Sequence, residues 1–294
     1  MEIFGIPSQA LFGQLLIGLI NGSFYALLSL GLDVIFGLLN IINFTHGAQY
    51  MLGAFCAYLL LNKLGIGYWW SLALAPIIVG LTGVVIERTM LSKLYKLDHL
   101  YGLLLTFGLA LIIQGLFRNE FGSSGLPYRI PQELQGAQNL GFMFLPNYRA
   151  WVIVVSLVVC LATWYVIERT KLGAYLRAAT ENPQLVQAFG INVPRMITLT
   201  YGFGVALAAF AGVMAAPIYQ VNPLMGADLI IVVFAVVVIG GMGSIMGAIV
   251  TGFGLGIIEG LTKVFYPEAS NTVIFIIIAI VLMFKPAGLF GTQK

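Results

Sequence analysis

Long apolar runs with almost no charge inside them dominate this sequence. They fall near 10–31, 45–62, 69–87, 100–117, 150–167, 197–217, 228–240, 243–260 and 273–284, each bounded by charges, Pro, Gly or Trp. About 20 apolar residues are needed to cross the roughly 30 Å hydrocarbon core of a bilayer as a helix. Backbone N–H and C=O groups find no water there, so only helices or a closed barrel can satisfy them. A barrel requires alternating polar positions along each strand, and these runs do not alternate. Composition agrees, since 60% of the 294 residues are hydrophobic and 9% charged, where a soluble domain carries about 25% charged residues. The expected fold is all-α, a polytopic membrane helix bundle of about eight to nine transmembrane elements. The pieces at 228–240 and 273–284 are too short to cross straight on, and read as half-helices or as helices continued through their polar flanks. No linker or low-complexity segment divides the chain, so residues 1–294 read as a single transmembrane domain with no room for a large soluble catalytic one.

Loop charges choose an orientation, because Lys and Arg near span ends stay in the cytoplasm. Arg88, Lys93 and Lys96 share one loop, Arg169, Lys171, Arg177 and Arg195 another, and Lys285 and Lys294 close the chain; alternate counting puts all nine on one face. Lys63, Arg118, Arg129, Arg149 and Lys263 are spread over the other. The first face is expected to be cytoplasmic, with the C-terminus inside. The net charge of +3 is too small to suggest a nucleic-acid partner. No basic start or small-residue cleavage site marks a removable signal peptide, so the first span is expected to be retained. Cys56 and Cys160 fall inside apolar runs and read as packing residues rather than a redox pair.

Catalytic supply is thin. The sequence has no His-Glu-x-x-His, no Gly-x-Ser-x-Gly and only two histidines, His46 and His99. A membrane enzyme is therefore not expected, and no metal set is evident. A Gly-x-x-x-x-Gly-Lys-Ser/Thr phosphate loop is also missing, so any ATP that drives this chain must bind another one. Asp33, His46, Asp228 and Glu259 are the ionisable residues near or inside apolar runs, a sparse set for an ion-coupled carrier.

Two polar breaks stand out. Residues 40–47, with Asn40, Asn43, Thr45, His46 and Gly47, interrupt a hydrophobic stretch, which is costly unless the break lines a cavity or finds partners on neighbouring helices. Asn43 and His46 are read as bridging two helices, as capping the helix that begins near Thr45, or as facing a solute path. The string GGMGSIMGA at 240–248 joins two runs, and Gly243, Gly247, Gly252, Gly256 and Gly260 suggest close helix packing, or else a hinge or a pore-lining break. The most ordered signals lie at 169–195. Asn182 precedes a proline and is pushed out of the α region, ending one helix. It then caps the next, with Pro183 at the first helical position and Gly190 just past the end. The result is a two-turn helix over 183–189 presenting Leu185, Val186 and Phe189, suited to pressing into a groove on a soluble partner or to lying on lipid headgroups.

Four strings then carry a family resemblance over essentially the whole chain: Asn21-Gly22 with Tyr25-Ala26-Leu27; Ile42-Asn43-Phe44-x-His46-Gly47; Arg177-Ala178 with Glu181-Asn182 and Gly190-Ile191-Asn192; and Gly240-Gly241-x-Gly243-Ser244. In that order and spacing the sequence resembles the permease subunits of ABC importers for branched-chain amino acids. The resemblance implies a bacterial inner-membrane, multi-pass subunit that binds no cofactor itself. Its partners would be a second permease, homologous or identical, two cytoplasmic ATPases that bind ATP, a periplasmic or extracellular solute-binding protein, and membrane lipid. It makes Arg177, Glu181, Asn182, Pro183, Leu185, Phe189, Gly190 and Ile191 the ATPase-coupling segment, and Asn21, Asn43, His46, Gly47, Gly241, Gly243 and Ser244 candidates for the solute path. Ala48, where many members carry an acidic residue, and Met246, where the glycine string often runs on to a proline, depart from the pattern. Related permeases serve urea, short amides or small aromatic solutes, and a stand-alone channel or secondary carrier is the reading from another class.

Overall fold

The computed structural model describes the chain except for residues 1, 4, 5, 40–42, 96, 142, 271 and 292–294, with backbone alone at 2, 3, 6, 38 and 39. Eleven α-helices occur among the described residues: α1 (Ser8–Leu39), α2 (Thr45–Leu64), α3 (Tyr68–Thr89), α4 (His99–Phe121), α5 (Asn147–Arg169), α6 (Lys171–Glu181), α7 (Pro183–Ala188), α8 (Val193–Tyr219), α9 (Ala227–Gly240), α10 (Ile245–Phe265) and α11 (Val273–Phe284). Six of them, α1, α3, α4, α5, α8 and α10, are long and apolar enough to cross a membrane. The 20-residue α2 matches them in length but begins with a polar turn, and α9 and α11 are the two shorter apolar helices that the hydropathy pattern marked. α1 runs well past the expected end near residue 31, because no Gly-Pro or charged cluster follows to stop it; Asp33 is carried inside at 1% exposure. Two small antiparallel hairpins were not foreseen: β1 (Glu2–Ile3) with β2 (Ile6–Pro7), and β3 (Ala137–Asn139) with β4 (Phe144–Pro146) in the loop before α5. Asn40, Ile41 and Ile42 of the first polar break, and Lys96 and Lys294 of the basic face, lie outside the described residues.

The chain forms two compact units that it visits alternately: residues 1–29, 130–160 and 232–294 make one, and 30–129 with 161–231 the other. A chain that returns to each unit leaves no linker for composition to reveal. The first unit is organised by α10 lying along the start of α1. Gly252, Gly256 and Gly260 meet Ala26, Gly22 and Gly18, and a methyl group on any of the three would overlap backbone of α1. Small residues at four-residue spacing let two backbones touch, the packing available where lipid removes the hydrophobic drive between helices. Gly247 faces Gly240 instead. Gly243 lies in the turn before α10 with φ +85, beside Gly241 at φ +100, a left-handed backbone that favours glycine.

In the second unit α8 is the central element, with α2 and α3 against it. Its core joins Ile35, Val79, Leu91, Tyr201, Val205 and Ala209. α2 and α8 approach at Gly53 and Gly212, where a side chain would overlap the backbone of Ala209 and Tyr50 respectively. Outward faces of α3 and α4 are apolar and bare, with Trp70, Leu81, Leu104 and Leu116 all exposed, the surface expected of helices bathed in lipid tails.

Candidate functional site

In the first unit, glycine packing brings four polar side chains together inside the membrane stretch. Asn21 and Tyr25 are one turn apart on α1, and Glu259 and Lys263 one turn apart on α10, so each pair shares a face. The Glu259 carboxylate, 5% exposed, accepts from the Tyr25 hydroxyl at 2.7 Å and the Asn21 amide at 3.2 Å, and it pairs with the Lys263 ammonium. Asn21, a candidate for the solute path, thus gives its amide to a carboxylate of its own unit. The other candidates here, Gly241, Gly243 and Ser244, form the α9–α10 turn, where Ser244 Oγ caps α10 by accepting from Gly247 N at 3.2 Å. The segment after α11 closes on this turn, as Leu289 N and Phe290 N donate to the carbonyls of Ile239 and Gly240 at 2.8 and 3.0 Å.

In the second unit, the described part of the polar break is the start of α2, and Asn43, Thr45, His46 and Gln49 are all 0% exposed. Thr106 of α4 receives it: Phe44 N donates to Thr106 Oγ1 at 3.2 Å, and Thr45 Oγ1 donates to the Thr106 carbonyl at 2.7 Å. Asn43 Nδ2 donates to Gln49 Oε1 at 3.2 Å. The Tyr201 hydroxyl lies beside these two amides, and it, Asn43 Oδ1 and Gln49 Nε2 have no hydrogen-bond partner among the described residues. The His46 ring fills the space left by Gly31, where a methyl group would come within 3.0 Å of Cε1 and Nε2. Gly47 packs on the Gly226 carbonyl. Asn43, His46 and Gly47 are thus brought together with α1, α4 and α8 as a buried junction.

The α6–α8 segment follows its sequence signals closely. Asn182 leaves helical geometry at φ −146, its Oδ1 accepts from Leu185 N at 2.9 Å, and Pro183 opens α7. Gly190 takes φ +84, and Asn192 Oδ1 accepts from Arg195 N at 3.0 Å to start α8. Leu185 and Phe189 are exposed, Phe189 at 78%. Val186 corrects the expectation of three outward residues: it is 6% exposed and packs with Leu176, Ala179, Val193 and Met196. Ile191 packs on the same cluster. Two turns carry too little periodicity to tell the faces apart. Arg177 turns back toward the end of α5, donating to the Ile167 carbonyl at 3.1 Å and pairing with Glu168 at 3.4 Å. α6, α7 and the start of α8 are therefore one packed piece with a two-residue apolar knob.

A further polar centre lies at the same end of α3 and α8. Glu87, 2% exposed, accepts from Tyr95 on Oε1 and from Thr198 on Oε2, both at 2.6 Å. Burial and the neighbouring carboxylate hold the Tyr95 phenol far above its usual range, so it remains a donor. In the sequence Glu87 ends the apolar run 69–87, next to Arg88. Its partners are 8 and 111 residues away, which no local pattern shows. Among the described residues no three His, Cys, Asp or Glu side chains come together as a metal site would require.

Comparison with known proteins decides the family. The sequence profile described as "Branched-chain amino acid transport system / permease component" matches residues 14–283. The chain belongs to this permease family. The permease is 30% identical to the high-affinity branched-chain amino acid transport system permease protein LivH of Escherichia coli K12, over 96% of both chains. It is 31% identical to BraD of Pseudomonas aeruginosa, again over 96% of both. LivM of E. coli K12 is 27% identical over 92% of this chain and 68% of its own length. Among solved structures, PsaBC from Streptococcus pneumoniae in complex with Fab aligns at a TM-score of 0.48 and 14% identity, covering 91% of this permease and 89% of that chain.

Proposed function

We propose that this permease subunit carries a branched-chain or related amino acid across a bacterial inner membrane, driven by ATPase subunits that dock on α7. The observation that carries the proposal is the exposed Leu185–Phe189 knob on a segment held rigid by caps at Asn182 and Asn192. An apolar knob of that size at a charged membrane rim fits a groove on a soluble partner, and the sequence offers no nucleotide loop of its own. Glu181, Asn182, Pro183 and Gly190 shape the knob, and Arg177 and Ile191 fasten it to the membrane helices. The basic residues beside it, Arg169, Lys171 and Arg195, support a cytoplasmic position for this face and for the C-terminus. A second permease completes the path, as the likeness to both LivH and LivM supports, and a solute-binding protein delivers the amino acid. The path itself is shaped by the breaks at Asn43, His46 and Gly47 and at Gly241, Gly243 and Ser244, with Asn21 beside Glu259. Their neutral groups offer weak contacts, so selection falls mainly to the binding protein. No chemical transformation is assigned to the chain.

Phe189→Asp would place a charge in an apolar contact without disturbing a buried core. Binding-protein-stimulated ATP hydrolysis by the assembled transporter in liposomes is expected to fall at least tenfold, with the amount of folded permease unchanged. Full stimulation would remove α7 as the docking element.

A further inference from the structure

The Glu87 carboxylate is the least explained buried group in this permease. It has no ion-pair partner among the described residues, and two hydroxyls fill only about half of the roughly four acceptor positions a carboxylate offers. An ionised carboxylate taken out of water is costly unless a cation answers it. Nor is Glu87 sealed off. It lines a cavity of about 530 Å³ between the end of α3, the 91–95 turn and the first turn of α8, whose walls also carry Arg88, Ser92, Asn192, Arg195 and Ile197. A volume of this size is within the range of small-ligand sites, about 300–1,000 Å³.

The two arginines have the opposite deficit. Neither makes an ion pair or a side-chain hydrogen bond among the described residues, and each guanidinium keeps its fork of donors. They do not answer Glu87 for a geometric reason. Glu87 and Arg88 are consecutive on a helix and so point to different faces. Arg195 is one turn before Thr198, the residue that holds Glu87, and its side chain is exposed and unpaired with that carboxylate. Among the described residues, the cavity lining therefore holds a carboxylate with no cation paired to it and two guanidiniums with no anion paired to them, together with Tyr95, Pro194 and Ile197.

The geometry points to a binding site for a small zwitterion, its ammonium on Glu87 and its oxyanion on Arg88 and Arg195. Two sources carry that chemistry at this face, a free α-amino acid and the headgroup of phosphatidylethanolamine. An amino acid held here would brace α3 against α8 beside the α6–α8 piece, and accumulated product would slow further import. The cytoplasmic placement and the feedback role rest on the proposed function; the zwitterion chemistry rests on the cavity alone.

The test uses the assembled transporter without its binding protein, in nanodiscs of phosphatidylglycerol with and without phosphatidylethanolamine, titrated with radiolabelled L-leucine. Leucine is expected to bind saturably in phosphatidylglycerol alone. α-Ketoisocaproate, lacking the ammonium, and leucine methyl ester, lacking the carboxylate, should bind at least tenfold more weakly. Glu87→Gln, Arg88→Gln and Arg195→Gln should each weaken leucine at least tenfold, and the two arginine variants alter exposed side chains that the fold does not need. If leucine does not bind but phosphatidylethanolamine raises the thermal midpoint of the wild type and not of Arg195→Gln, the site stands with lipid as its occupant. Equal binding of leucine and both analogues, unchanged binding in all three variants, or no effect of either zwitterion overturns it. Binding-protein-dependent leucine uptake into proteoliposomes separates the two claims. Intact uptake with no zwitterion effect sinks the cavity site alone, whereas a zwitterion effect without uptake of any amino acid sinks the proposed substrate alone.

Discussion

Two carboxylates are buried to a similar degree in this permease and are answered differently. Glu259 collects a phenol, an amide and an ammonium from two helices locked together by glycine, and every partner belongs to one packed surface. Glu87 collects two hydroxyls and looks into a cavity. A buried charge with a full complement of partners is an element of the scaffold, and its worth is measured by what breaks when a partner is removed. A buried charge with spare capacity beside open space is an element that something else completes.

The largest effect should come from breaking the complete set. Glu259→Ala takes from Lys263, Asn21 and Tyr25 the carboxylate they share, and removing one partner of a buried pair costs about 3–5 kcal/mol. The thermal midpoint of the detergent-purified permease is expected to drop by many degrees, and Lys263→Met in the same chain should restore part of it. A midpoint unchanged by Glu259→Ala would show that water already reaches this cluster.

A smaller loss should follow from prising apart the helices that carry it. Gly256→Ala sets a methyl group into the backbone at Gly18 and Gly22, an overpacking of about 1–3 kcal/mol, whereas Gly254→Ala, two residues away with open space around it, should be neutral. Equal stability of the two variants by thermal melting would mean that α1 and α10 can separate at little cost. The smallest effect belongs to the incomplete set: Tyr95→Phe removes one hydrogen bond from Glu87, worth about 1 kcal/mol, and solvent in the cavity can replace it. A loss as large as that of Glu259→Ala would erase the distinction drawn between the two carboxylates.

The same contrast explains what was legible in the sequence. Spans could be read because lipid imposes one length and one polarity on every crossing helix. α7 could be read because Asn182-Pro183 and Gly190 act on the backbone within a few residues. Glu259 was noticed as a charge in an apolar run, yet Asn21 and Tyr25 became its partners only through a helix crossing that no local pattern encodes. Glu87 was hidden by its position at a span end, where a charge needs no explanation until tertiary structure buries it. Val186 was misplaced for a smaller reason, a helix too short to show its face.

The Asn21–Glu259 hydrogen bond spans 238 residues of chain, and this has a consequence for biosynthesis. A ribosome adding about 5–20 residues per second needs roughly 10–50 s to deliver α10 after α1 has entered the bilayer. Throughout that interval the amide of Asn21 and the hydroxyl of Tyr25 reside in lipid with their eventual acceptor still unmade. The newborn helix α1 is thus a provisional guest of the membrane, held by its apolar residues, and becomes a fixed member of the protein only when α10 arrives.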